Sequence, residues 1–320
     1  MSLNLHHLRS FALVVRLGGL GAAARATGVS QPALSRALRE LERHVGLQLL
    51  ERGPRGLRPT PIGRELFEHA QSIVAAERDA ERLISGAVGL HHGLLHVGAS
   101  TTIATYVLPR AIAQFAREYP GIEVRLISAH TRVLEQMLRR YDVDLALAEA
   151  PPNDPRIVAT PWMHDEMVVI AAPDHALATR RNLAPEALAG ERFVLRELES
   201  GTREIVLHGL AAAGLVPRSS VAVDGTEVIK QMVASGFGVA VVSRLAVQDQ
   251  LQSGRLCILD VPRLLLTRPF TRLALPGSRL GADAELFFAT VRRVMDGDRS
   301  SSGRRASKLV KAPAASVRKR

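Results

Sequence analysis

Apolar residues recur at helical spacing from Ile62 to Leu90: Ile62, Leu66, Ala70, Ile73, Val74, Ala80, Leu83, Ile84 and Ala87, with no proline after Pro61. The opposite face carries Glu68, Glu77, Asp79, Glu81 and Arg82. At about 1.5 Å per residue such a helix spans roughly 40 Å. It divides the chain into parts of different grammar. Residues before it show only helical periods and tight turns, while from Gly93 onward strand-length apolar runs alternate with helical periods. With 320 residues the chain has room for two or three domains.

Charge follows the same division. The net charge is +11, but residues 1–65 carry ten Arg against four Glu, and residues 66–92 are slightly acidic. Residues 93–298 are close to neutral, and residues 299–320 hold eight basic groups and no acid. A basic head on a neutral body implies that a small domain meets a polyanion while the rest does something else. The tail, rich in Ser, Gly, Ala and Pro without an apolar period, is expected to be disordered.

Within the head, Leu5, Leu8, Phe11, Ala12 and Val15 form one amphipathic helix, which Gly18-Gly19-Leu20-Gly21 interrupts. An Ala-rich segment, 22–26, meets the compact turn Thr27-Gly28-Val29. Ser30 is suited to cap the next helix, where Pro32 is tolerated in the first turn. Ala33, Leu34, Ala37, Leu38, Leu41 and Val45 then share a face, leaving Ser35, Arg36, Arg39 and Arg43 mainly on others. Helix, tight turn and helix with a basic outer face is the arrangement that places its second helix in the major groove of DNA. Arg52, Arg55 and Arg58, set among Gly53, Pro54, Gly56 and Pro59, suit a wing against the DNA backbone or minor groove.

The stretch from Leu8-Arg9-Ser10-Phe11 through Ser30-Gln31-Pro32-Ala33-Leu34-Ser35, Leu41-Glu42, Val45-Gly46 and Arg52 to Thr60-Pro61-Ile62-Gly63 resembles the winged helix-turn-helix of LysR-type transcriptional regulators. The resemblance implies that Gln31, Pro32, Ser35 and Arg36 face the major groove and that Arg55 lies on the wing; Ser30, Arg39, Arg52 and Arg58, beside them in spacing and charge, are expected to join the DNA-binding surface. Gln suits adenine edges, Arg suits guanine, and a Pro ring can touch a thymine methyl. It further implies a homodimer through the long helix, a homotetramer that reads an inverted repeat in promoter DNA, and contact with RNA polymerase. Two positions depart from the family pattern: Gly21 stands where a hydroxyl N-cap is usual, and Thr27 stands where Leu is usual, which is expected to trim the small core.

In the body, strands are expected at 94–98, 123–128 and 144–148, with helices near 104–118 and 131–140. After Pro161-Trp162 a second series follows, with strands at 166–171, 192–195, 221–223 and 238–242 and helices near 202–213 and 226–235. A strand at 268–275 and a helix at 282–296 are expected to return to the first series. Two such series imply two subdomains with parallel sheets, and ligands in such folds sit at the carboxyl ends of strands. Ser100-Thr101-Thr102, Ser200-Gly201-Thr202-Arg203 and Gly225-Thr226-Glu227 each open a helix, and helix N-termini with hydroxyl groups attract anions.

The body also resembles one branch of the LysR family, similar to regulators of carbon-fixation genes and of sulfite or sulfur assimilation. This rests on Gly98-Ala99-Ser100-Thr101-Thr102-Ile103, Asp144-Leu145-Ala146-Leu147 with Glu149, Gly201-Thr202-Arg203-Glu204 and Thr226-Glu227-Val228-Ile229-Lys230-Gln231. It implies a two-lobed α/β, periplasmic-binding-protein-like effector domain behind an α-helical winged head. A small anionic or polar effector would be held by Ser100, Thr102, Thr131, Thr202 and Thr226, and Thr101, Glu149 and Arg203 are expected beside them from their places at helix starts and strand ends. His130 adds a donor that responds to protons. Glu149 repels a dianion unless Arg203 or Lys230 offsets it or the ligand carries a donor.

The expected organisation is therefore a DNA-binding domain at 1–63, a dimerisation helix at 64–92, an effector domain at 93–298 and a basic tail at 299–320. Lobe I comprises about 93–162 and 268–298, and lobe II about 163–267. A single Cys, Cys257, allows no disulfide framework and lies in an apolar run. His91, His92 and His96 lack Cys or carboxylate neighbours and are not read as a metal site. No Gly-x-Ser-x-Gly elbow, Walker A loop or dinucleotide fingerprint appears, so neither catalysis nor a cofactor is expected. No apolar run reaches the ~18 residues that would span a bilayer, and a cytoplasmic location is expected. The competing reading is a metabolite-binding protein whose head packages DNA without sequence preference.

Overall fold

The computed structural model describes residues 2–53, 56–87, 92–217, 219–264, 266–278 and 280–309. The chain forms two compact units, residues 1–90 and 91–320.

The first unit contains helices α1 (Leu5–Arg16), α2 (Leu20–Thr27) and α3 (Gln31–Val45), the antiparallel hairpin β1 (Leu50–Gly53) and β2 (Gly56–Pro59), and the long helix α4 (Pro61–Ala87). Leu8, Phe11, Leu34, Leu38, Leu41 and Leu49 make its core, joined by Leu66, Phe67 and Ala70 from the start of α4. The head therefore borrows the first turns of α4 for its own core. Three motif residues earn their places mechanically. Glu42 accepts hydrogen bonds from the Leu49 and Leu50 amides at 2.8 and 3.1 Å, tying α3 to the hairpin. The Thr60 hydroxyl accepts from the Gly63 amide and donates to the Gln48 carbonyl, so it caps α4 and anchors it. A Cβ at Gly63 would lie 2.0 Å from the Leu49 carbonyl oxygen, so only glycine allows this approach.

Two departures from the family pattern take a different form here from the one expected. The N-cap of α2 is Gly19, not Gly21, and Gly21 lies inside the first turn. Thr27 is exposed rather than turned to the core, and its hydroxyl donates to the Ala23 carbonyl at 2.8 Å. A polar residue there spares the core and closes the last turn of α2.

The second unit contains β3 (Gly93–Ala99), α5 (Leu108–Glu118), β4 (Ile122–Ser128), α6 (Thr131–Arg139), β5 (Leu145–Ala148) and β6 (Val158–Ala171). It continues with β7 (Arg192–Arg196), α7 (Gly201–Ala212), β8 (Ser219–Val223), α8 (Thr226–Ala234), β9 (Ala240–Ser243), α9 (Gln248–Gln252), β10 (Cys257–Ile258), β11 (Leu266–Ala274) and α10 (Ala282–Leu309). Strands β3, β4 and β5 are mutually parallel, as are β7 and β8. The expectation of wholly parallel sheets fails at β6 and β11, which pair antiparallel along their length. Both strands pass from one lobe to the other, one outward and one back, and so must run in opposite senses. Met163 and Phe270 belong to the lobe I core, whereas Met167 and Leu266 pack with lobe II. The lobes thus meet within these strands.

The helix expected at 104–118 is split. Leu108 donates to the Ile103 carbonyl five residues back, making a π-turn over Ile103–Val107. Pro109 has no N–H to complete the ordinary ladder. The last helix, α10, runs past Asp296 to Leu309, so residues 299–309 are helical where a structureless tail was expected. Arg, Ala, Lys and Leu in this run are good helix formers, and the first proline is Pro313. The remainder of the tail lies outside the described residues.

Candidate functional site

Each unit carries a candidate site. In the first, Gly28 takes a left-handed conformation that ends α2, and Ser30 in extended conformation caps α3 by accepting from the Ala33 amide. Leu34, Ala37, Leu38 and Leu41 point inward. Gln31, Pro32, Arg36 and Arg39 are exposed and Ser35 is half-buried, its hydroxyl accepting from Arg39 Nη1 at 3.0 Å. These side chains form one stripe about 12 Å long at the helical rise, comparable to the width of a major groove. Arg43 lies one turn further along, paired with Glu40 at 2.7 Å. Arg52 and Arg58 are exposed on the hairpin. Arg55 lies outside the described residues.

In the second unit the cleft between lobes brings together Ser100, Thr101, Thr131 and Glu149 from lobe I, and Arg196, Ser200 and Gly201 from lobe II. Their cavity measures about 10 Å³, room for about one water molecule. The first turns at Thr101, of α6 and of α7 border it, and such turns carry N–H groups without intrahelical partners. Ala150 narrows the opening: a Cβ at Gly201 would lie 2.5 Å from that of Ala150.

Behind the cavity lies a cluster that the sequence reading missed. Arg268, 1% exposed, sits opposite Asp165 in the β6–β11 register, at the division between the lobes. Its Nε donates to Asp165 at 2.8 Å, Nη1 to the Thr202 hydroxyl at 2.8 Å and Nη2 to the Thr102 hydroxyl at 3.1 Å. The Thr202 hydroxyl in turn donates to Glu149 Oε1 at 3.0 Å. Ser243 donates to the other Asp165 oxygen at 2.6 Å. Burial pushes the Asp165 carboxyl above its ordinary value, against the opposing pull of Arg268. Thr102 and Thr202 thus face Arg268 and do not line the cavity. Glu149 is offset by Arg268 at 3.4 Å, not by Arg203 or Lys230.

The other expected residues have structural partners. Thr226 accepts from Arg196, and Arg203 donates to the Arg196 carbonyl. Arg196 is doubly hydrogen-bonded to Glu197 at 2.6 and 2.7 Å. Burial raises the Glu197 carboxyl, but Arg196 outweighs it and holds the group below its usual value. His130 Nε2 lies 3.7 Å from the same carboxylate. Lys230 is spent on Glu227, the Ala246 carbonyl and the face of Tyr106. Elsewhere, His96 lies 3.6 Å from Asp144, and His91 lies outside the described residues. Among the described residues no helix is long and apolar enough to cross a membrane.

Comparison with known proteins decides the family. Residues 5–64 match the bacterial regulatory helix-turn-helix protein, lysR family, and residues 89–296 match the LysR substrate binding domain. The chain belongs to the LysR family of transcriptional regulators. It is 35% identical to the RuBisCO operon transcriptional regulator of Allochromatium vinosum over 90% of this chain and 95% of that protein. It is 30% identical to the HTH-type transcriptional regulator CysL of Bacillus subtilis over 89% of this chain and 95% of that one. The solved regulatory domain of Synechocystis PCC6803 CcmR in complex with 2-PG is similar at 30% identity and a TM-score of 0.59, covering 63% of this chain and 97% of that one. This LysR-type chain joins the helix-turn-helix head to a two-lobed effector-binding domain, and its relatives are regulators of transcription, not enzymes.

Proposed function

We propose that this LysR-type regulator binds an interrupted inverted repeat in promoter DNA and responds to a small anionic or polar metabolite held between the two lobes. The observation that carries the reading is the outward stripe of Gln31, Pro32, Ser35, Arg36 and Arg39 over a fully packed inner face. Phosphate contacts by Arg52, Arg55 and Arg58 position the head, and base-edge contacts by Gln31 and Arg36 specify the site. Helix α4 leaves Ile73, Ala76, Ala80 and Ile84 exposed at helical spacing, which supports pairing of two copies through this face. A two-fold dimer matches an inverted repeat. Ligand binding shifts the relation between lobes, and through it the geometry of a homotetramer on DNA and its contact with RNA polymerase. That CcmR is solved in complex with 2-PG supports a small ligand for this domain.

Footprinting on DNA upstream of the chain's own and adjacent genes tests the proposal. Two protected half-sites, spaced by about 34–36 Å or a multiple of it, are expected. Uniform coverage without half-sites would favour the packaging reading instead, and no protection would defeat both.

A further inference from the structure

We infer that Arg25 of α2 is a further DNA contact, holding a backbone phosphate beside the base edge that Gln31 reads; the inference rests on the DNA-binding reading above and adds a residue to that site. Residues 1–65 contain ten arginines, and several are engaged within the chain. Arg9 pairs with Glu77 and Arg43 with Glu40, Arg39 donates to the Ser35 hydroxyl, and Arg64 donates to the Pro59 carbonyl. Arg16 also has a partner. Among the described residues, Arg36, Arg52 and Arg58 make no hydrogen bond or ion pair within the chain, which suits side chains held ready for DNA. Arg25 shares this condition and is exposed.

Its place on α2 brings it to the recognition helix. Long side chains on a helix lean toward its N-terminus, and Arg25 reaches back one turn to Gly21. A Cβ at Gly21 would stand 3.7 Å from Arg25 Nη1 and 3.4 Å from Gln31 Nε2. The guanidinium and the Gln31 amide nitrogen therefore flank one notch, which the missing side chain of Gly21 leaves open. Neither nitrogen can accept a hydrogen bond, so Gln31 cannot serve as the partner of Arg25 there. Nor does Arg25 serve α2. A cation in the last turn steadies a helix by lying against its final carbonyls, whereas this guanidinium is drawn toward the first turn, the positive end. A charged donor placed so calls for an anionic acceptor from outside the chain.

DNA supplies one at this point. Gln31 opens α3, and the start of a recognition helix enters the major groove, with the preceding helix crossing the backbone. Gln31 spends its amide on an adenine edge, and the neighbouring phosphate falls to Arg25. The same geometry gives Gly21 a role. It stands where the family pattern has a hydroxyl, and Arg25 reaches the space that a side chain there would fill.

Fluorescence anisotropy of the full chain with Arg25→Ala tests the inference, on the footprinted site and on a scrambled duplex, each over a range of salt. Alanine is the best helix former, so α2 is kept. Both duplexes are expected to bind roughly 2- to 5-fold more weakly per head, the range for an exposed ion pair. The slope of log affinity against log salt should flatten by about 0.9 per head, the value for one phosphate neutralised. Arg25→Lys should keep the wild-type slope, and Arg25→Gln, of similar length without the charge, should lose it. That pair of variants decides the matter even where alanine disturbs the head. Equal slopes for Arg25→Lys and Arg25→Gln would overturn the inference, and so would a loss confined to the footprinted site, which would put the side chain on a base. Wild-type binding with a slope indifferent to position 25 defeats this inference alone, whereas a wild-type chain that binds neither duplex defeats the regulator reading.

Discussion

The outer face of α3 and the floor of the interlobe cleft are both built from polar side chains, in opposite settings. On α3, Gln31, Arg36 and Arg39 stand in solvent over a core that would be packed without them. In the cleft, Arg268, Asp165, Thr102, Thr202 and Glu149 are buried and hold one another. A face of the first kind sets what the protein recognises and contributes little to its fold. A cluster of the second kind couples recognition to folding, since its members come from both lobes and from the strands that join them.

The largest effect is therefore expected in the second region. Arg268→Met should destabilise the effector domain by about 3–5 kcal/mol, because removing one partner leaves buried carboxylates uncompensated. Denaturation followed by the fluorescence of Trp162, the sole tryptophan and a residue of β6, reads this directly. The deficit should shrink on acidification. Burial holds the folded-state carboxyl of Asp165 above its unfolded value of 3.8, and without Arg268 nothing opposes that rise. The penalty is full above the raised folded value and is relieved as pH falls through it toward 3.8. An equal deficit at all pH values would show that lost packing, not charge, dominates.

A smaller effect should separate the units from the other side. Gly63→Ala sets a methyl against the Leu49 carbonyl and should cost the head about 2–3 kcal/mol, near the top of the range for overpacking. DNA binding should fall while the Trp162 transition keeps its midpoint. A shift of that midpoint would mean that the two units unfold together.

The two regions also differ in how much of them the sequence makes legible. The face of α3 follows from spacing within fifteen residues, because a helix turns local order into a surface. The serine and threonine caps at 100–102 and 200–202 can be read for the same reason, each being local to one helix start. Arg268 and Asp165 could not be placed so. They are 103 residues apart in sequence, and each looks like a solvent-facing charge until the antiparallel register of β6 and β11 sets them opposite one another. A usable signal was present: both are charges inside strands whose neighbours alternate toward a core, where an unpaired charge is costly. The position of Thr27 was misread for a related reason, since a family-wide apolar preference says nothing of the local hydroxyl bond to Ala23 that replaces it.

The central claim is that this LysR-type chain reads bases through the exposed face of α3. Operator affinity, measured by fluorescence anisotropy on the protected half-site sequence and on a scrambled duplex, tests it with Gln31→Ala and Arg36→Ala. Each is expected to lose about 1–3 kcal/mol on the operator and almost nothing on the scrambled duplex. Equal weakening on both duplexes would place these side chains on phosphates and contradict the claim.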